Sequence, residues 1–371
     1  MMASPRTRSR FYHRAEIVAR ALAARAARRA TPVEIRRVLL AHHLLLGDTL
    51  MLTPLIAKLR SRYPAAEIAM TVPRAIAPLY SSRPYGVRAL AWDPRGENAA
   101  LFAEAPFDIA FVPGDNRYAW LAAAMRSRWI VAFEGDPNER RNWIVDALRP
   151  YPDHPAAWGD IVATLVDGPP PQRYASTDWP APAAAPFAMP AQPYAVLHVG
   201  ASTPLKLWPA DRWAALAAWF DARGIAPVWS AGQGQEEIVH ACDPERRFAG
   251  YAGNLDLTQL WHLLANARML VAPDTGVAHL GRVVGVPTVA LFGPGSATVS
   301  GAGEFWRDAP YRAVTVDPFP CRDQRILFRR EISWVRRCAR TLAECPEPRC
   351  MQAISIAAVT EALDQLDHAP Q

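Results

Sequence analysis

Short apolar blocks recur along the chain, each followed by a polar or glycine-containing turn and then by a stretch with helical spacing. Arg37-Val38-Leu39-Leu40-Ala41-His42 is such a block. Its apolar run has no alternation, which predicts a strand buried on both faces. Helical spacing follows to about Arg62, and Tyr63-Pro64 closes that helix because proline cannot continue it. Further strands are predicted at Glu67–Pro73, Val87–Trp92, Asp108–Val112 and Trp129–Phe133, with helices at Asn98–Ala105 and Tyr118–Arg126 between them.

The alternation stops at Gly168–Pro193, which holds eight prolines in 26 residues and is expected to be a linker or extended loop outside the core. It restarts with strands at Tyr194–Val199, Ala226–Ser230, Met269–Ala272 and Thr288–Phe292. Helices are predicted at Ala210–Arg223, from about Gln235, at Leu257–Ala267 and at Val277–Val284. A last helix spans about Ile354–Leu366. Strands alternating with helices predict parallel sheets covered on both faces, so the fold class is α/β with two Rossmann-like domains facing a central cleft. The expected layout is an N-terminal extension over residues 1–30 and a first domain over 31–167. A linker over 168–193, a second domain over 194–353 and a C-terminal helical segment over 354–371 follow.

Composition changes this picture in three places. The chain has 371 residues, 51% hydrophobic, enough for two cores, and no apolar run is long enough to span a bilayer. No apolar segment of signal-peptide type follows the basic N-terminus, so a cytoplasmic protein is expected, peripheral at the inner membrane face if that terminus meets lipid. The net charge of +6 is concentrated there: residues 1–30 hold eight arginines and one acid, Glu16. A helical, alanine-rich pattern begins near Tyr12. Attraction to an anionic membrane surface and a frayed solvated extension are the two alternatives, and no nucleic-acid module accompanies the charge. Only two lysines are present, Lys58 and Lys206, each a surface charge by default unless its context argues otherwise. Five cysteines include four in the last 51 residues: Cys321, Cys338, Cys345 and Cys350. Their spacing is not that of a zinc site of the CxxC type, and reduced, buried or paired thiols compete with a metal for them.

Three loops carry candidate chemistry, each at the end of a predicted strand. In Pro273-Asp274-Thr275-Gly276, Asp274 or Thr275 can cap the following helix, whose N–H groups attract an anion. Gly276 permits close approach of a phosphate, and His279 stands one turn on. An ordinary capped turn would look the same. In Val199–Pro209, Ser202 and Thr203 offer hydroxyls and Lys206 a point charge for phosphate. In Gly47-Asp48-Thr49, Asp48 is either a helix cap or a carboxylate placed to take a proton from a hydroxyl. No GxGxxG follows the first strand, which argues against a nicotinamide dehydrogenase.

Taken together these segments resemble glycosyltransferase family 9, the heptosyltransferase family of lipopolysaccharide core assembly. The likeness runs through Gly47-Asp48-Thr49 to Pro54 and Tyr63-Pro64. It continues through His198–Ser202 with Lys206-Leu207-Trp208-Pro209, and through Asp274–Leu280 to Gly285-Val286-Pro287 and Gly293-Pro294. In order and spacing these cover about residues 36–366. The resemblance implies a GT-B fold, inversion at the anomeric carbon, no catalytic metal and no required cofactor. It implies a nucleoside-diphosphate sugar as donor, ADP-heptose foremost, and a glycan or lipid-linked acceptor. Position by position, it implies Asp48 as general base and Ser202 and Lys206 as diphosphate contacts. Thr275 and Gly276 become phosphate contacts, and Asp274 and His279 lie beside the donor sugar or phosphates.

The chain departs from relatives in the loop Ala231–Glu237, near the expected nucleoside, and at His42-His43, where relatives often carry a basic residue and a small one. A Cys-Met pair such as Cys350-Met351 often precedes the final helix in the family, and some members hold iron through four cysteines. The arginine-rich stretch Arg322–Arg340 is a solvated face by default and an acidic-acceptor or membrane surface otherwise. A sugar-nucleotide epimerase and a non-catalytic sugar-nucleotide-binding protein are the alternative functions for the same phosphate loops.

Overall fold

The structure is a computed structural model that describes residues 5–26 and 31–368, with side chains in the first helix described from His13 to Arg25. The chain forms two compact units. The first runs to His154 and adds Gly159–Gln172 and Ile326–Ser333. The second comprises Pro155–Trp158, Arg173–Arg325 and the chain from Trp334.

The first unit is built on a six-stranded parallel sheet. Its strands are β1 (Arg37–Leu40), β2 (Glu67–Val72), β3 (Val87–Ala91), β4 (Phe107–Val112), β5 (Ser127–Phe133) and β6 (Ala147–Arg149), in the order β3-β2-β1-β4-β5-β6. Leu39 pairs with Ala69 on one side and Ala110 on the other. All three are buried, as expected of a parallel sheet covered on both faces. The predicted helix after β1 is two helices, Leu46–Leu50 and Thr53–Arg62; Pro54 takes an early position in the second, where it needs no amide donor. The predicted helix Asn98–Ala105 shortens to Ala99–Phe102.

The basic N-terminus forms a helix, Pro5–Ala26, rather than a frayed arm. Ala21 is buried, the Asn98 amide donates to the His13 carbonyl and to Glu16, and Arg20 and Arg25 stack on Phe102 and Trp143. Arg28 and Arg29 lie outside the described residues, as do the side chains of Arg6, Arg8 and Arg10.

The second unit repeats the plan with β7 (Tyr194–His198), β8 (Ala226–Ala231), β9 (Gly250–Ala252), β10 (Met269–Pro273), β11 (Thr288–Phe292) and β12 (Tyr311–Thr315), ordered β12-β11-β10-β7-β8-β9. In each unit the chain starts in the middle of the sheet, adds strands to one side, then returns and adds to the other. The switch points therefore lie between β1 and β4 and between β7 and β10, where open α/β sheets leave a crevice at the strand ends. One core gathers Trp208, Trp213, Phe220 and Trp229 with Val359 and Leu363 of the last helix, Ile356–Asp367. Trp208 Nε1 donates to the Ile354 carbonyl at 2.9 Å, which ties that helix down.

Two expectations are corrected by packing. The proline-rich stretch is not wholly outside the core: Tyr174 and Trp179 are buried, Trp179 against Trp261, and Tyr174 Oη donates to the Val283 carbonyl at 2.6 Å. The arginine-rich stretch is not simply a solvated face, because Arg322 and Arg330 are buried. Arg322 donates to the Phe292 and Gly293 carbonyls. Arg330 follows a small antiparallel hairpin turn, between β13 (Ile326–Leu327) and β14 (Arg330–Glu331), whose turn residues Phe328 and Arg329 take φ of 43° and 72°.

Candidate functional site

The loops after β7 and β10 flank the switch point of the second unit, and Lys206 closes the gap between them. Thr203 caps the short turn Pro204–Lys206 by accepting from the Leu205 N–H, which sets the start of the lysine stem. Lys206 Nζ then donates to Asp274 Oδ2 at 2.8 Å and to the Asp274 carbonyl at 2.6 Å. An ammonium has three protons, so these two bonds leave a third that can be donated to a further acceptor. Asp274 is held in turn by its own N–H, which donates to the Leu291 carbonyl at 2.9 Å.

Thr275 occupies the cap of the helix Gly276–Val284, but its hydroxyl makes no capping bond. That Oγ1 is buried and has no hydrogen-bond partner among the described residues. A buried unpaired hydroxyl costs free energy, on the order of 1–3 kcal/mol, unless something in use satisfies it. It stands at a helix N-terminus, where backbone N–H groups and the helix dipole favour an anion. Gly285 ends the same helix at φ 86°, a left-handed turn that glycine adopts without strain.

His279 lies one turn into this helix and is buried, with Nδ1 2.7 Å from Arg282 Nη2. Burial, then the Arg282 and Lys206 cations, holds its pKa well below the ordinary imidazole value, so the ring is neutral. Ser202 is exposed on the β7 loop. Its neighbour Ala201 is anchored by Gln235, whose Nε2 donates to the Ala201 carbonyl at 2.7 Å while its Oε1 accepts from the Gly232 N–H. A Cβ on Gly200 would stand 2.1 Å from Gln235 Oε1, so a larger residue here would displace the side chain that makes these two bonds. A Cβ on Gly295 would likewise stand 2.2 Å from Asp274 Oδ2.

Asp48 is placed in the first unit, half-buried in the helix Leu46–Leu50 on the β1 loop. It is not the helix cap; Leu45 is. His42, also on this loop, is buried, its Nδ1 accepting from the Leu44 N–H at 3.2 Å, while Nε2 has no partner among the described residues. Across the first unit's switch point the β4 loop carries Asp115, which the sequence reading missed. Arg329 Nε and Arg141 Nη1 reach it at 2.9 and 3.2 Å, and Arg117 Nε lies 3.4 Å away. Burial raises the Asp115 pKa, but the Arg117 N–H and these guanidinium groups outweigh it, and the net shift is downward. Arg329 is 214 residues from Asp115 in sequence, and no local signal links them.

Of the two lysines, Lys206 is half-buried and Lys58 is buried; burial lowers the Lys58 pKa, so it is not the surface charge expected by default. The Cys321 thiol is raised by burial and by its neighbours Cys338 and Cys345. Among the described residues no group of three or more His, Cys, Asp or Glu side chains is arranged to hold a metal ion.

Two Rossmann-like units, each with its crevice at the strand C-termini, define a GT-B protein. The solved heptosyltransferase II of E. coli, described as an ADP-heptose lipopolysaccharide enzyme, aligns over 90% of this chain and 98% of its own with a TM-score of 0.66 and 20% identity. The E. coli heptosyltransferase WaaC, solved with ADP, aligns over 89% of this chain and 97% of its own with a TM-score of 0.63 and 15% identity. The family model for glycosyltransferase family 9 (heptosyltransferase) matches residues 115–305, just over half of the chain. The chain belongs to glycosyltransferase family 9. It is 33% identical over 150 residues to lipopolysaccharide heptosyltransferase 1 of Pseudomonas aeruginosa, a match covering 38% of this chain and 42% of that protein. The chain thus spans less than half the length of the curated relatives it matches.

Proposed function

We propose that this protein transfers a sugar from a nucleoside diphosphate to a hydroxyl of a glycan acceptor, with inversion at the anomeric carbon and without a catalytic metal. ADP-heptose is the donor and a lipid-linked core glycan the acceptor, which places the enzyme on the cytoplasmic side of a membrane in lipopolysaccharide assembly. Family membership supports the reaction class, and the relatives' own names support the donor. The observation that carries the proposal is the cluster at the second unit's switch point. There Lys206, held on Asp274, meets a helix N-terminus and the partnerless Thr275 hydroxyl.

Each part has a task in this reaction. The leaving nucleoside diphosphate gains negative charge as the glycosidic bond breaks. Lys206 and the N–H groups of the helix Gly276–Val284 stabilise that charge, with Thr275 and Ser202 supplying hydroxyls. Asp274 orients Lys206. Asp48 removes the acceptor proton as the acceptor oxygen attacks. The basic helix Pro5–Ala26, with Arg14 and Arg20 exposed, is assigned to the anionic membrane surface on which a lipid-linked acceptor would sit.

The test is an assay of sugar transfer from ADP-heptose to a deacylated core acceptor by wild type and Asp48→Asn. The variant is expected to lose turnover by a factor of about 10²–10⁴, the usual worth of a general base. Its ADP affinity should be unchanged. Wild-type turnover by the variant would remove Asp48 from this role. Donor consumption without acceptor would point instead to an epimerase.

A further inference from the structure

Arg282 follows His279 by one turn on the helix Gly276–Val284, and only 1% of it is exposed. Its guanidinium carbon lies 4.4 Å from the ring centre of Trp306 and 5.0 Å from that of Tyr311. Both rings are buried. Two aromatic faces attract the cation and fix its plane, more strongly for being out of water. In that orientation Nη2 comes within 2.7 Å of His279 Nδ1.

The chemistry of this pair admits one proton arrangement. A guanidinium offers five N–H donors, has no acceptor and keeps its proton. His279 Nδ1 must therefore present a lone pair, and the neutral ring carries its single proton on Nε2. Protonating Nδ1 as well would set two N–H groups head to head and bury two cations in contact. The charges bearing on the ring are Arg282 and Lys206, both positive, and they act with burial to keep it neutral.

We propose that Arg282 is a positioning residue: it locks His279 in the Nε2–H tautomer, so that the imidazole meets the donor's diphosphate as a neutral hydrogen-bond donor. This rests on the assignment of the nucleoside diphosphate to the loops after β7 and β10. The opposite tautomer would turn a lone pair toward an anionic oxygen. An enzyme that populated both tautomers would bind in proportion to the competent fraction. Arg282 removes that loss without touching the ligand itself.

The experiment is a long-range proton–nitrogen correlation spectrum of the full chain labelled with ¹⁵N-histidine, with His279→Gln used to assign the signals by subtraction. The wild type without ligand is expected to show a protonated Nε2 and an unprotonated Nδ1, unchanged from pH 8 to pH 5. A protonated Nδ1 there overturns the proposal with no variant needed. In Arg282→Met the tautomers are expected to mix and ADP affinity to fall about tenfold, as when a competent form becomes a minor one. Arg282→Lys keeps a cationic donor, guards against a variant that fails to fold, and is expected to retain the Nε2–H form. Wild-type tautomer and wild-type ADP affinity in a folded Arg282→Met would overturn the proposal. If wild type shows the Nε2–H ring but binds no ADP, the donor assignment falls and takes the proposal with it, at the ligand rather than at the tautomer.

Discussion

His42 and His198 stand at matching places in the two units, His198 as the last residue of β7 and His42 two residues past β1. Both are buried, His42 with its ring bonded to a backbone N–H and His198 with Nδ1 3.1 Å from Ser230 Oγ. Burial lowers the His42 pKa to about 3, with His43 adding to the effect, and burial lowers His198 to about 4. An unfolded histidine titrates near 6.5, so below that pH the unfolded chain binds protons that the folded chain refuses. The stability of the neutral rings is thus full above about pH 6.5 and is lost as pH falls toward their folded values. Between pH 7 and pH 5 each histidine should cost about 2 kcal/mol of stability. Urea unfolding at the two pH values measures this. A stability that is flat across that interval would contradict the burial of neutral rings. A residue-by-residue reading of the sequence cannot see such effects. A histidine that ends a strand in the core and one that ends a strand in solvent follow the same apolar run.

At the scale of elements, the β13–β14 hairpin shows how a segment from the C-terminal half becomes part of the first unit. Its anchor is Arg330, which donates to the Glu134 carbonyl at 2.7 Å, to the Gly114 carbonyl at 2.9 Å and to Asn116 Oδ1 at 2.6 Å. These acceptors belong to the loops after β4 and β5. Arg330→Ala should leave them unsatisfied and cost about 2–4 kcal/mol in the first unit. Lysine should not rescue it, because a single ammonium cannot span acceptors on both loops. Equilibrium unfolding of the two variants decides this, and a loss below about 0.5 kcal/mol, the level of an ordinary surface change, would contradict the clamp. Elements with a strong pattern were legible in advance. Thr288–Phe292 has the predicted bounds because a parallel, doubly buried strand is written as an unbroken apolar run. The edge strands β6, β9 and β12 were not legible. Gly250–Ala252 has three residues and no alternation, and Tyr311–Thr315 has Arg312 as its second residue, as an edge tolerates.

For the whole molecule, the repeated strand order accounts for why the candidate residues fall on three loops distant in sequence. A sheet that starts in its middle leaves a crevice beside its first strand, and Asp48, Ser202, Lys206, Asp274 and Thr275 follow a first or a fourth strand. This was partly legible. The turns with Asp48, Lys206 and Asp274 stood out as strand-to-helix loops, and the family resemblance ordered them. The Lys206–Asp274 pair, 68 residues apart, and the packing of Arg282 on two rings were not legible, because an arginine packed against aromatic rings is written like any other. The central claim is that the loops after β7 and β10 hold the donor's diphosphate while Asp48 serves only the acceptor. Calorimetric titration of ADP into wild type, Asp48→Asn and Lys206→Met tests it most directly. Wild type and Asp48→Asn should bind alike, and Lys206→Met should bind at least about tenfold more weakly, the worth of one charge-assisted hydrogen bond. Undiminished binding by Lys206→Met, or a loss in Asp48→Asn as large as that in Lys206→Met, would contradict it.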